Sequence, residues 1–303
     1  MTPVKMHAGE LDIDADLVRR LLREQFPNWA DLPIRPVQSS GTDNAIFRLG
    51  SDLSVRLPRI SWAVKDVGVN RDWLPRMAPF LPLAIPVQVA LGQPGEDYPW
   101  QWSVYCWLEG ESATLENIND LCQAAKNLAQ FLAALQSIDT SGGPKAAEAN
   151  IRGSSLRLRE AETRKAISAL RGMIDAEGAQ RLWEDALRLP EWEPEPVWFH
   201  GDMLPGNLLV KDGQITAVID FGGMAVGDPS CDLMIAWGLF SGESREMFRA
   251  ELQVDEATWL RGRGHALSQA VIFIPYYINT NPLGVANAKH MLDEVLSEYK
   301  AGE

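Results

Sequence analysis

The sequence predicts an α+β fold with two lobes, a β-rich N-terminal lobe and a mainly helical C-terminal lobe. Its 303 residues are 46% hydrophobic and 23% charged, a composition typical of globular proteins with a sizeable core. Short segments of alternating hydrophobicity precede Gly110, and longer segments with helical periodicity follow it. Because the pattern changes there, we expect the lobes to comprise residues 1–110 and 111–303.

The N-terminal lobe is expected to begin with an amphipathic helix over residues 14–26, whose apolar side chains recur on one face. Residues 45–49 and 53–57 alternate on either side of a Gly-Ser-Asp turn, which predicts a β-hairpin. Residues 61–81 have a helical pattern that Pro75 should end or kink. Further strands are predicted over residues 34–37, 84–90 and 102–107.

The clearest element of the C-terminal lobe is a helix over residues 121–138, with apolar side chains at helical spacing. Two charged helices are expected over residues 156–170 and 176–189. A short hairpin is predicted next, because residues 208–210 and 215–219 flank a Lys-Asp-Gly turn. The remainder of this lobe is expected to be mainly helical.

The formal net charge of −13 disfavours nucleic acid and anionic membranes as partners. The three cysteines, Cys106, Cys122 and Cys231, lie in apolar stretches without metal-ligand spacing, so we expect buried thiols in a reducing compartment. Residues 1–16 lack the apolar segment of a signal peptide, and the apolar run at residues 270–274 is too short to span a bilayer. These features together predict a cytoplasmic protein.

The segment most informative about chemistry is His-Gly-Asp-Met-Leu-Pro-Gly-Asn at residues 200–207, which a hairpin separates from Asp-Phe-Gly at 220–222. This spacing places the oxygens of Asp202, Asn207 and Asp220 on two neighbouring loops. Carboxylate and amide oxygens suit Mg²⁺, and an aspartate can accept or orient a hydroxyl proton, so the set suits phosphoryl transfer. Each aspartate alone is also typical of an ordinary turn, but the joint pattern specifies six residue types.

With these motifs the sequence resembles the aminoglycoside phosphotransferase family, within the wider protein-kinase-like fold. The resemblance covers most of the chain and implies the bilobal architecture that the hydrophobic pattern also predicts. The segments that carry it are residues 40–44, 55–59, 107–110, 200–207, 219–222, 227–229 and 232–233.

The resemblance implies a role for each residue of the motif. Asp202 would be the catalytic base or would orient the acceptor hydroxyl, and His200 would position the catalytic loop. Asn207 and Asp220 would bind Mg²⁺. Asp232 would brace the catalytic loop, although a solvated acid in the first turn of a helix is the alternative there.

The resemblance also implies that ATP or GTP lies between the lobes. The turn at residues 39–44 would cover the phosphates with its backbone N–H groups, and residues 105–108 would form the hinge that hydrogen-bonds the purine. An ordinary hairpin turn and a buried strand end are the alternatives. The expected nucleotide-binding residues are Ser40, Gly41, Asn44, Arg56, Cys106, Trp107 and Leu108.

Two positions depart from the kinase pattern. Arg56 stands where a phosphate-binding lysine is expected, and it keeps the charge but has a different reach. Asn70 stands where the next helix should offer a glutamate to that cation, with Asp66 and Asp72 as nearby substitutes. Without a charged partner Arg56 would be less firmly placed, which leaves a degenerate kinase among the hypotheses.

The sequence therefore predicts a Mg²⁺-dependent small-molecule O-phosphotransferase that uses ATP or GTP, with an aminoglycoside-like and possibly cationic acceptor. A kinase of another hydroxyl metabolite or of a macrolide, and a nucleotide-binding pseudokinase, are the alternatives. A protein kinase is disfavoured because Gly227 follows Gly222 too closely for an activation segment. Candidate acceptor residues are Glu160, Glu162, Asp228, Trp237, Glu243, Tyr276, Tyr277 and Asn281.

Overall fold

The structure, a computed structural model, describes residues 9–37, 43–146 and 151–302. Its N-terminal part is built on five antiparallel strands and two helices. The strands are β1 (Ile34–Pro36), β2 (Asn44–Leu49), β3 (Leu53–Pro58), β4 (Gln88–Gly92) and β5 (Trp102–Cys106). They form one sheet in the order β1-β2-β3-β5-β4, with β3 in its centre.

One face of this sheet packs against helix α1 (Ala15–Gln25). The helix begins where the sequence predicts, because the carboxylate of Asp14 accepts the N–H of Leu17 at 2.8 Å as an N-cap. The predicted hairpin is β2–β3, and its alternation places every second side chain in the core. The buried side chains of this cluster include Val18, Leu21, Leu22, Phe47, Leu49, Val55, Leu57 and Trp102.

Two details predicted for the N-terminal lobe are wrong. Helix α2 (Lys65–Met77) does not end at Pro75, because the proline lacks only its own N–H donor and the residues after it still donate: the N–H of Ala78 bonds the carbonyl of Leu74. The strand predicted over 84–90 begins later, as β4. Ala84 instead exchanges backbone hydrogen bonds with Thr216 and Val218, and so ties the sheet to the C-terminal part.

The C-terminal part is mostly helical, as predicted, and has its own large apolar core. Glu298 anchors its last helix, since it accepts from Trp237 Nε1 at 2.8 Å and Trp259 Nε1 at 3.2 Å and pairs with Arg245 at 3.0 Å. The helices are α3 (Leu121–Gln136), α4 (Glu160–Ala169), α5 (Ala176–Arg188), α6 (Ile235–Gly238), α7 (Gly242–Leu252), α8 (Glu256–Tyr277) and α9 (Pro282–Ala301).

Short strands frame the motif loops. The predicted hairpin is β8 (Leu208–Lys211) and β9 (Gln214–Val218), and β6 (Glu111–Ser112) pairs with β8. A second ribbon pairs β7 (Val197–Phe199) with β10 (Ala225–Gly227). The sequence does not predict β6, β7 and β10, because two or three residues are too few to establish an alternating pattern.

In the described part of the chain, no helix is both long and apolar enough to cross a membrane. All three cysteines are free thiols, but the expectation that all are buried is wrong. Only Cys231 is buried; Cys122 is half-buried, and Cys106 is exposed because it ends strand β5 at the edge of a cavity.

The substitution Gly92→Ala is expected to destabilise the sheet by about 1–3 kcal/mol, because the new Cβ would lie 2.0 Å from the buried Trp102 ring. Gly68→Ala in α2 is the matched control: its Cβ would meet no atom within 4 Å, so a gain of about 0.5–1 kcal/mol is expected. Urea denaturation of both variants measures this, and equal effects would contradict the packing argument.

Candidate functional site

The loop between β7 and β8 carries the first half of the motif, and Asp232 fixes its backbone. The buried Asp232 carboxylate accepts the N–H of His200 and the N–H of Gly201, each at 2.7 Å. Gly201 has φ +82°, and a Cβ there would lie 2.3 Å from the carbonyl oxygen of Gly223. The brace expected of Asp232 is therefore observed. Burial raises the pKa of Asp232, and the two backbone N–H groups oppose that rise.

The buried His200 ring connects the two motif loops. Its Nδ1 accepts the N–H of Asp202 at 3.1 Å, so Nε2 carries the proton and donates to the carbonyl of Ile219 at 3.0 Å. The ring also packs edge-on against Phe221, with centroids 4.6 Å apart. His200 thus holds the residues next to Asp202 and Asp220 in fixed positions.

The Asp202 carboxylate is held by two donors at the cavity wall. Arg152 Nη1 lies 2.9 Å from its Oδ1 and also donates to the carbonyl of Gly201 at 2.8 Å. The amide of Asn207 donates to Asp202 Oδ2 at 3.1 Å and to its backbone carbonyl at 2.8 Å. Sequence reasoning did not identify Arg152, which lies on an irregular segment before α4 with no motif around it.

Asp220 lies at the other side of the loop pair, and its partner is Arg56. Arg56 Nη2 donates to Asp220 Oδ1 at 2.8 Å across the cavity, from β3 to the segment after β9. With its amide oxygen turned to the guanidinium, Asn44 accepts from Arg56 Nη2 at 2.9 Å and Nε at 3.2 Å. Arg56 therefore has a charged partner, the motif aspartate Asp220, although Asn70 stands at the position of the expected glutamate.

Burial raises the pKa of the Asp220 carboxyl, but the charge and hydrogen bond of Arg56 and the charge of Arg152 outweigh it. The net result is a pKa below the ordinary aspartate value, so Asp220 is anionic at neutral pH. Its backbone has φ +64° and ψ +65°, a left-handed conformation that costs free energy in a residue other than glycine. Such strain is typical of functional sites.

The oxygens of Asn207 and Asp220 suit Mg²⁺, which binds few protein ligands. They do not suit a metal that protein side chains alone must hold. No cluster of three His, Cys, Asp or Glu side chains that could hold a metal occurs among residues 9–37, 43–146 and 151–302. One carboxylate and one amide oxygen leave most positions to phosphate oxygens and water, as Mg²⁺ prefers. The amide orientation of Asn207, with Nδ2 on Asp202, leaves its oxygen as the possible ligand.

A cavity of about 900 Å³ joins these residues to the predicted hinge. Cys106, Trp107 and Leu108 line it, as do Asn44 and Arg56. The N–H of Cys106 donates to the carbonyl of Val87 and that of Trp107 to the carbonyl of Asp52. Within the described part of the chain the N–H of Leu108 has no acceptor, so it is the hinge donor available to a ligand. Ser40 and Gly41 lie outside the described residues.

Asn70 of α2 lines the same cavity and is 2% exposed. Its Oδ1 has no hydrogen-bond partner among the described residues. The substitute Asp72 is exposed and pairs with Arg71 instead, at 2.7 Å. The residue at the position of the expected glutamate therefore reaches the cavity without engaging a cation.

The candidate acceptor residues fall into two groups. Glu162, Tyr276, Tyr277 and Asn281 line the cavity beyond Asp202. The other four do not line it: Glu160 pairs with Arg164, Asp228 with the buried Arg261, Trp237 donates to Glu298, and Glu243 is exposed on α7.

Comparison with known proteins gives a matching family model, a curated relative and solved structures of the same fold. The model of the phosphotransferase enzyme family, APH, matches residues 34–265. A curated relative, the aminoglycoside 3′-phosphotransferase of Escherichia coli, is 37% identical over 59 residues, which are 20% of this chain and 22% of that protein.

Two solved structures have the same fold. The GDP and kanamycin complex of APH(2″)-IIIa superposes with a TM-score of 0.72 at 16% identity, covering 94% of this chain and 99% of that one. The macrolide 2′-phosphotransferase MphH from Brachybacterium faecium superposes with a TM-score of 0.61 at 21% identity, covering 92% and 98%.

A double-mutant cycle of Arg56→Met and Asp220→Asn is expected to give a coupling free energy of about 1 kcal/mol at pH 7, reduced by solvent screening of the partly exposed pair. Because folding lowers the pKa of Asp220, this stabilisation is present above the ordinary aspartate pKa and is lost as pH falls through the lowered value. Urea denaturation over a pH series measures it.

The exposed pair Arg71 and Asp72 is the matched control, and its coupling should be smaller at neutral pH. A coupling between Arg56 and Asp220 that does not change with pH would contradict the ion pair.

Proposed function

This chain belongs to the phosphotransferase enzyme family, and on that premise we propose that it transfers the γ-phosphate of ATP or GTP to a hydroxyl group of a small molecule, with Mg²⁺. The observation that supports the proposal is that Asp202, Asn207 and Asp220 line one cavity, together with residues 106–108 of the predicted hinge and several candidate acceptor residues. We assign the nucleotide to residues 1–110 and catalysis with acceptor binding to 111–303. A reaction that consumes nucleoside triphosphate and a chain with free thiols favour the cytoplasm.

In the proposed reaction the acceptor hydroxyl oxygen forms a bond to the γ-phosphorus, and the bond from that phosphorus to the β–γ bridging oxygen breaks. The electron pair of the broken bond leaves with the nucleoside diphosphate. The hydroxyl proton goes to the Asp202 carboxylate, whose second oxygen stays hydrogen-bonded. Arg152 and Asn207 hold this carboxylate at the cavity wall, which fixes the direction from which the hydroxyl approaches.

Asn207 and Asp220 would hold Mg²⁺, which when bound neutralises charge on the phosphates. Arg56 already lies beside Asp220 and can bind a phosphate as a two-pronged donor. The N–H of Leu108 would bind the purine, and Asn44 would orient Arg56. Ser40 and Gly41 complete the proposed phosphate site from a segment outside the described residues.

The acceptor follows less directly from the relatives. MphH is a macrolide phosphotransferase, whereas the APH(2″)-IIIa structure contains kanamycin. Macrolides and kanamycin both carry hydroxyl groups, so an aminoglycoside-like acceptor and a macrolide are both compatible with the shared fold.

The substitution Asp202→Asn is expected to lower kcat by about 10²–10⁴-fold, since it removes the proton acceptor but keeps the shape of the side chain. Acceptor-dependent turnover of Mg·ATP and Mg·GTP over a panel of aminoglycosides, macrolides and hydroxyl metabolites measures it, with Asp72→Asn as the exposed control. Nucleotide should still raise the Tm of the Asp202→Asn variant. Nucleotide binding without turnover for any acceptor would instead favour the pseudokinase.

Arg152 is expected to act as a positioning residue for Asp202. Arg152→Met should lower kcat by about 100-fold with little change in the KM for nucleotide, because a displaced carboxylate misaligns the hydroxyl. Arg152→Lys, which keeps the charge but not the fork, should restore part of kcat. Steady-state kinetics of both variants tests this, and equal loss in the two variants with an unchanged Tm would argue against a charge contact with Asp202.

A further inference from the structure

Asn70 contributes an amide without partners to the wall of the cavity. Its side chain lines the cavity and is 2% exposed. Of the two amide atoms only Oδ1 is both enclosed and unpartnered within the described residues, so Nδ2 is the atom that faces the cavity. A buried amide that bonds nothing destabilises the free protein, and such a group in a cavity wall is expected to bind a ligand.

The position of Asn70 on α2 places it near the motif aspartate Asp220. Leu74, one helical turn later, lines the cavity as well, so this face of the helix is turned towards it. Helix α2 contacts the segment Phe221–Gly223, which follows Asp220 directly, and Leu74 belongs to the same core cluster as Phe221. The amide therefore lies at the end of the cavity where phosphates are proposed to bind.

The role that a glutamate would have at this position is already filled by other residues. Arg56 Nη2 donates to Asp220 Oδ1 at 2.8 Å. The amide oxygen of Asn44, turned to the same guanidinium, accepts from Nη2 at 2.9 Å and from Nε at 3.2 Å. Because Arg56 is positioned from β2 and from the segment after β9, it needs no partner on α2. The side chain of Asn70 is therefore available to contact a ligand directly.

The absence of charge on Asn70 determines which ligand groups this position accepts. A carboxylate on α2 would repel a phosphate group that approached it. The amide of Asn70 exerts no such repulsion, and its Nδ2 carries two N–H donors. Hydrogen bonds to an anionic oxygen are stronger than those between neutral groups. A neutral donor beside the Arg56 and Asp220 pair therefore favours a phosphate oxygen.

From these four features we infer that Asn70 binds the phosphates of the nucleotide directly, with Nδ2 donating to a phosphate oxygen. At this position a residue that would only orient the cation is thus replaced by one that contacts the ligand. This inference rests on the proposed function, since it requires a nucleotide in the cavity. Asn70 on α2 and Arg56 on β3 then hold the phosphates from two different elements of the fold.

The test measures nucleotide binding by the whole chain, separately from turnover. Calorimetry gives the Kd of Mg·ATP and Mg·GTP, and ligand-observed NMR titration gives that of the weaker ligands adenosine and guanosine. Triphosphate and nucleoside share the purine and the ribose, so a change confined to the triphosphate reports on the phosphates. The unchanged chain is measured first, so a failure of the proposed function is seen independently of Asn70.

Two variants and one control separate a donor role of Asn70 from an acceptor role. Asn70→Ala removes the donor and should weaken triphosphate binding by about 10-fold, whereas Asn70→Asp keeps the shape and should weaken it by about 100-fold through repulsion. Nucleoside binding should be unchanged in both. Asn127→Asp on α3 is the matched control: Asn127 accepts from Gln123 at 2.8 Å and does not line the cavity, so the same added charge should change neither affinity.

Triphosphate binding by Asn70→Asp that is as tight as in the unchanged chain, or tighter, would overturn the inference, because Asn70 would then accept from Arg56 as a glutamate would. Equal losses for triphosphate and nucleoside would overturn it in favour of a structural role. Urea denaturation establishes that each variant is folded; if Asn70→Asp is not, an Asn70→Ala variant without loss of triphosphate affinity would overturn it. Absence of nucleotide binding by the unchanged chain would overturn the proposed function and the inference together.

Discussion

The site depends on two backbone N–H groups that a single buried carboxylate accepts. Asp232 binds the N–H groups of His200 and Gly201, and each would otherwise be buried without a partner at a cost of about 1–3 kcal/mol. Once this turn is fixed, the His200 ring joins the loop of Asp202 to the carbonyl next to Asp220. The two aspartates expected to carry the chemistry are therefore positioned by one continuous set of hydrogen bonds.

The cavity has two chemically different ends. At the hinge end Arg56 and the backbone donor of Leu108 offer positive charge and hydrogen bonds, which suit a nucleotide. At the other end the aromatic side chains of Phe273, Tyr276 and Tyr277 line the cavity together with Glu162. Asp202 lies between them, paired with Arg152 at 2.9 Å. The proposed phosphate site and the proposed acceptor site are thus lined by different elements of the fold.

The sequence predicted the features that strong local signals specify. Long helical periodicity, the capping Asp14 and the two motif loops are such signals, and the structure brings Asp202, Asn207 and Asp220 to one cavity as the motif spacing suggested. Arg152 was missed because its role depends on a contact across 50 residues of sequence with no local pattern. The partner of Arg56 was missed for the same reason, since β3 meets the segment after β9 only in the folded chain.

The ion pair between Arg56 and Asp220 also has a consequence for the shape of the free protein. It connects the central strand of the sheet to the segment after β9, so the two walls of the cleft are in direct contact through it. A nucleotide whose phosphates bound Arg56 would compete with Asp220 for the same guanidinium. Because salt screens partly exposed charges, this contact between the two walls of the cleft is expected to weaken as ionic strength rises.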